Sequence, residues 1–138
     1  MEKLVRNNDN IVKIEVNDEG EIITLNLADR DFPKRFYTLY ENLTKRIEEY
    51  EKQRNAKEEM SIAEEIDADL EMHKAMMVDI DNLLGTGTCR KVFGNIVPDV
   101  DAVTDFFEQI IPIIQKYGNK RRKKISDKYS PARMGEAR

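Results

Sequence analysis

The chain has 138 residues, of which 36 % are charged, with four prolines, no tryptophan and one cysteine. That is the size of one ordinary domain with a real core, and the composition of a helix-rich soluble protein rather than a disordered or disulfide-stapled one. The net charge of −4 conceals an asymmetry: residues 119–138 carry +6 and residues 1–118 carry −10.

Residues 1–9 are polar, and the N-terminus lacks an apolar core of signal-peptide length. The longest nearly apolar piece, Ile110 to Ile114, is far too short to span a bilayer. The lone Cys89 forms no internal disulfide, which fits a reducing compartment. The expected location is the cytoplasm.

The first regular element is Ile11 to Val16, whose period of two places Val12, Ile14 and Val16 on one face. Asn17-Asp-Glu-Gly20 is turn chemistry. A second strand, Glu21 to Leu27, puts Ile23, Leu25 and Leu27 on one face. Two strands alone are marginal in water, so this hairpin, over 10–28, must cover helices.

Asp31 is the expected N-cap of the next element, with Pro33 tolerated in its first turn. Phe32, Phe36, Leu39, Tyr40, Leu43, Ile47 and Tyr50 then recur at steps of three and four, which predicts a helix over 32–57. From Glu51 to Glu59 the stripe fades into charged and amide side chains. Ser61-Ile-Ala-Glu64 matches a capping box, in which serine and glutamate each satisfy an orphan backbone N–H. It opens a second stripe of Ile62, Ile66, Leu70, His73, Met76, Met77, Ile80, Leu83 and Leu84, a helix over 62–84. One long helix from 32 to 84 stays open, although two in an antiparallel hairpin bury the stripes better.

Three of the six glycines fall between Leu83 and Gly94. Gly85 is expected to take a left-handed conformation at the end of the second helix. Arg90 to Phe93 fits one helical turn closed by Gly94. Asp99 is the expected cap of a third helix over 99–117, kinked at Pro112 and ended by Gly118-Asn119. The expected fold is mainly α (α+β): an N-terminal β-hairpin packed on a three-helix arrangement in one domain, residues 1–118, followed by a flexible basic tail, 119–138.

Few of these residues suggest chemistry. Gly85-x-Gly87 follows a helix, whereas a phosphate loop follows a strand and opens a helix. His73, the only histidine, sits in an apolar stripe with no second histidine or cysteine near it, which disfavours zinc. The carboxylates from Glu64 to Asp81 follow helix faces rather than a calcium loop. Arg90 and Lys91 beside Cys89 are placed to lower its pKa, but nothing assembles a nucleophilic triad. No catalytic residue, metal site or cofactor is expected. Met76-Met77 and Phe106-Phe107 are core residues first, with an adaptable binding surface as the alternative. The cluster Lys120, Arg121, Arg122, Lys123 and Lys124 attracts either nucleic acid or an acidic protein surface. The acidic body and the absence of interleaved aromatics before Tyr129 disfavour nucleic acid.

Asp81-Asn-Leu-Leu-Gly-Thr-Gly-Thr-Cys-Arg-Lys-Val-Phe-Gly94, followed by Val103-Thr-Asp-Phe-Phe-Glu-Gln-Ile-Ile-Pro-Ile-Ile114, resembles the tail assembly chaperone-like proteins of long-tailed (siphovirus-type) phages and prophages of Gram-positive bacteria. The likeness covers roughly residues 10–118, and the basic tail lies outside it. It implies a non-enzymatic protein of the bacterial host cytoplasm that coats the tape measure protein and recruits tail tube subunits. It implies partner contacts at the glycine segment and the Phe-Phe helix: Leu83, Leu84, Gly85, Gly87, Phe93, Gly94, Phe106 and Phe107. Self-association is compatible with it. The competing class is a phage or mobile-element protein that associates with nucleic acid through the basic tail.

Overall fold

The computed structural model describes residues 1–5, 9–56 and 59–129. Two strands, β1 (Ile11–Glu15) and β2 (Ile22–Asn26), are followed by four helices: α1 (Phe32–Ala56), α2 (Ile62–Leu84), the short α3 (Thr88–Phe93) and α4 (Val100–Tyr129). The chain divides into two compact units, Met1–Thr104 and Asp105–Arg138. This division falls within α4 rather than at the boundary expected after Gly118, because a 30-residue helix makes most of its contacts with itself. No helix of the described residues is long and apolar enough to cross a membrane.

In the first unit, β1 and β2 pair antiparallel, with Val12 opposite Leu25 and Ile14 opposite Ile23. The alternation works as the sequence implies: Ile23, Leu25 and Leu27 are buried, while Ile22, Thr24 and Asn26 are exposed. Asn17 builds the turn, its Oδ1 accepting from the N–H groups of Glu19 and Glu21, with Gly20 at φ 78°. The buried face of β2 packs on α2, which supplies the third layer that an isolated hairpin lacks.

α1 and α2 are separate helices, which settles the choice between one rod and two. Arg46, just past the middle of α1, pairs with Asp79 near the end of α2, and Leu39, earlier in α1, shares a groove with Leu83, later in α2, as in an antiparallel hairpin. Asp31 precedes α1 as expected, its C=O accepting from the Arg35 N–H, while its carboxylate pairs with the Arg35 guanidinium. At α2, Ser61 Oγ accepts the Glu64 N–H. The Glu64 carboxylate takes the Ser61 hydroxyl proton rather than the backbone N–H that a reciprocal box would engage. Phe32, Phe36, Leu43, Met76 and Ile80 are buried. A third of the α2 stripe is exposed: Ile62, Ile66 and Leu70 are 77 %, 60 % and 38 % exposed.

Asp99 caps α4, its Oδ1 accepting the Ala102 N–H at 2.8 Å. Phe106, Phe107, Ile110 and Ile114 form the buried side of the second unit. The helix runs through Pro112 and does not end at Gly118-Asn119, continuing instead to Tyr129. Gly118 stays at negative φ, and the lysines and arginines beyond it are good helix formers that outweigh one glycine, which costs about 1 kcal/mol. Part of the expected tail is therefore helical, and its remainder, 130–138, lies outside the described residues. A Cβ at Gly118 meets nothing within 4 Å. Gly118→Ala should accordingly raise helicity and stabilise the chain by about 0.5–1 kcal/mol. Circular dichroism through a thermal melt checks this, and a lower midpoint would contradict a helix passing through that residue.

Candidate functional site

The glycine segment forms a corner organised by one carboxylate. Asp81, in the last turn of α2, faces the start of α3. Its Oδ1 accepts the Cys89 N–H at 2.9 Å and its Oδ2 accepts the Gly87 N–H at 3.3 Å. Its own C=O takes the Gly85 N–H at 2.8 Å. One residue thus closes the C-terminus of α2 and caps the N-terminus of α3, where exposed N–H groups and the helix dipole both favour an anion. Thr88, buried, donates its hydroxyl to the Gly85 carbonyl at 2.7 Å.

The glycines serve backbone conformation. The left-handed conformation expected at Gly85 is found at Gly87 (φ 86°, ψ 1°). Gly85 itself adopts φ 114°, ψ 148°, a region essentially reserved for glycine. A Cβ at Gly87 or Gly94 meets nothing within 4 Å, so these glycines do not bring α3 close to α2.

The basic pair after the glycines locks the β-hairpin to α3. Arg90 Nη2 lies 3.0 Å from Glu21 Oε2, Lys91 Nζ donates to the Ile22 carbonyl at 3.3 Å, and Asn17 Nδ2 donates to the Lys91 carbonyl at 3.0 Å. The hydrogen bond from Arg90 holds the Glu21 carboxyl below its usual range against the opposing effect of burial, and the Asn17 amide acts in the same direction as Arg90. No short-range sequence signal marks this clamp, because its partners are about seventy residues apart.

Cys89 is buried, with its thiol directed at the Met77 carbonyl. Burial, reinforced by the nearby Asp81 carboxylate, pushes its pKa up to about 12. This reverses the lowering expected from Arg90 and Lys91, which are engaged by the hairpin. His73 is 8 % exposed and its Nδ1 bonds the Asp69 carbonyl at 2.7 Å. Among the described residues no cluster of three His, Cys, Asp or Glu side chains could hold a metal ion.

Beside the corner, α1 and α2 enclose an open groove of about 590 Å³. Leu39 and Leu83 supply its apolar lining, with Thr38, Asn42 and Asn82 between them. Its charged members are Asp31, Lys34, Arg35, Arg46 and Asp79. Arg46 Nη1 is 2.9 Å from Asp79 Oδ2 but makes no aligned hydrogen bond. At 39 % and 35 % side-chain exposure this pair contributes under about 1 kcal/mol.

Of the residues singled out in the sequence, Leu83 lines the groove and Leu84, Gly85, Gly87, Phe93 and Gly94 surround the corner. Phe106 and Phe107 are 7 % and 0 % exposed, with rings edge to face at 5.7 Å. Their burial is that of core residues, the first of the two roles their sequence pattern suggests. Lys120, Arg122, Lys123 and Lys124 are exposed along α4.

A family model matches residues 19–138, and its description is a family of unknown function (DUF6673). No curated protein and no solved structure matches the chain.

Removing the Asp81 carboxylate leaves the Gly87 and Cys89 N–H groups without their acceptor. Asp81→Ala should cost about 1–3 kcal/mol in urea unfolding, and Asp81→Asn, which keeps one acceptor, less. Equal stability of the three proteins would show that the cap contributes nothing. Because the folded pKa of Glu21 is depressed, its contribution is present above the unfolded value, about 4.3, and disappears as pH falls through the folded value. Wild type should therefore be more stable than Glu21→Gln at neutral pH, and the gap should close on acidification through that range. A gap independent of pH would remove Arg90–Glu21 as its source.

Proposed function

The chain belongs to the DUF6673 family, whose description assigns no activity; from the groove between α1 and α2 and the resemblance carried by the glycine segment we propose that it is a non-enzymatic tail assembly chaperone of a long-tailed phage or prophage. It holds a helical segment of the tape measure protein in the groove between α1 and α2 and helps bring in tail tube subunits. The groove is the observation that carries this reading: it is open, leucine-lined and rimmed by both signs of charge. Such a surface suits an amphipathic helix laid between two others.

Two further observations support it. The conspicuous residues of the glycine segment are already engaged in structure: Asp81 in capping, Cys89 in packing, Arg90 and Lys91 in holding the hairpin. The resemblance at residues 81–94 and 103–114 points the same way.

Thr38 is exposed and lines the groove, so Thr38→Trp fills it without entering the core. Co-expressed with the tape measure protein of the same genome, wild type should keep that protein soluble and co-purify with it. Thr38→Trp should lose at least about tenfold in affinity, about 1.4 kcal/mol, with unchanged circular dichroism. A tape measure protein that neither depends on the chain nor binds it would refute the proposal.

A further inference from the structure

The first half of α2 is not used by the groove or the corner. Ile62, Ile66 and Leu70 form a row at successive steps of four, all exposed. Asp67 lies three residues before Leu70, and Glu65 and Asp69 lie three residues after Ile62 and Ile66, so carboxylates stand on both sides of the row, with one cation, Lys74, four residues after Leu70; Asp67 and Asp69 are exposed and Glu65 is half-buried. This is an apolar row flanked by negative charge, and no described residue of the chain covers it.

The second half of α4 carries the inverse pattern. Ile113 and Tyr117, half-buried, stand four residues apart on one side of the helix, and Ile125, 45 % exposed, lies eight residues further on and about 80° round from Tyr117. Lys116, Lys120, Lys123 and Lys124 lie beside them at steps of four, three and one, all exposed. Lys120 Nζ sits 5.9 Å from the centre of the Tyr117 ring, so its ammonium stays beside the apolar row. The two surfaces match in both respects that govern helix pairing: an apolar seam, and flanking charges of opposite sign.

We infer that these surfaces bind each other between two copies of this chain, the basic end of α4 in one copy docking on the acidic, apolar first half of α2 in the next. The contact is heterologous, because different patches meet. Each copy therefore presents one free patch of each kind, and association grows into a ring or a filament. The row on α2 is exposed, as are Ile125 and the four lysines on α4, while Ile113 and Tyr117 are half-buried.

Charge exchange in the full-length protein tests this. Sedimentation velocity over a concentration series should show wild type associating at low salt. Its apparent dissociation constant should rise about tenfold or more between about 0.05 and 0.5 M salt, as screening shortens the reach of the charges. Asp67→Lys/Asp69→Lys and Lys120→Glu/Lys124→Glu should each weaken association at least about tenfold. An equimolar mixture of the two should restore it, because each altered patch then meets its complement, and restoration also shows that both variants are folded. Four outcomes overturn the inference: a monomeric wild type at every concentration, variants that associate as wild type does, a mixture that stays monomeric, or association abolished by nuclease. The chain is tested alone, so the result is independent of whether it binds a tape measure protein.

Discussion

The architecture of the first unit depends on a carboxylate that serves two helices. α3 has six residues, too few to be stable by itself. It persists because Asp81 on the preceding helix bonds its leading N–H groups. The same residue's carbonyl closes α2 through Gly85. The backbone between them can turn this sharply only because Gly85 and Gly87 adopt positive φ. A side chain at either position would be strained even though there is room for it, so here glycine is chosen for conformation and not for space.

α3 in turn secures the hairpin. The strands bury one face on α2, but their turn would be free without Arg90, Lys91 and Asn17. These contacts are partly exposed, and each alone is worth little. Their effect is geometric: three contacts converging on one turn fix its orientation. The chain from Asp81 through α3 to Glu21 thus links local capping to long-range order, and the most unusual stretch of sequence is accounted for as structure.

What remains for function is surface. The groove between α1 and α2 combines two leucines with amide, hydroxyl and charged side chains, and the row on α2 is apolar and exposed. The buried thiol, with its raised pKa, is poorly suited to nucleophilic work. The charged side chains of the groove pair with one another, Arg35 with Asp31 and Arg46 with Asp79.

Periodicity alone determined the hairpin, its buried face, and the helices that follow it, because a pattern of two or of three and four is a local property of consecutive residues. The caps at Ser61 and Asp99 were legible for the same reason, each lying three residues from its acceptor or donor. Two local readings failed: Gly118 was taken as a stop, although the residues around it sustain the helix, and the Cys89 thiol was read from its neighbours in sequence rather than in space. Only the tertiary structure decided that Phe106 and Phe107 are buried while Ile62, Ile66 and Leu70 are not, since both sets belong to apolar stripes of helical period. It alone paired Arg90 with Glu21, because charge attraction acts through space and leaves no periodic trace in the chain.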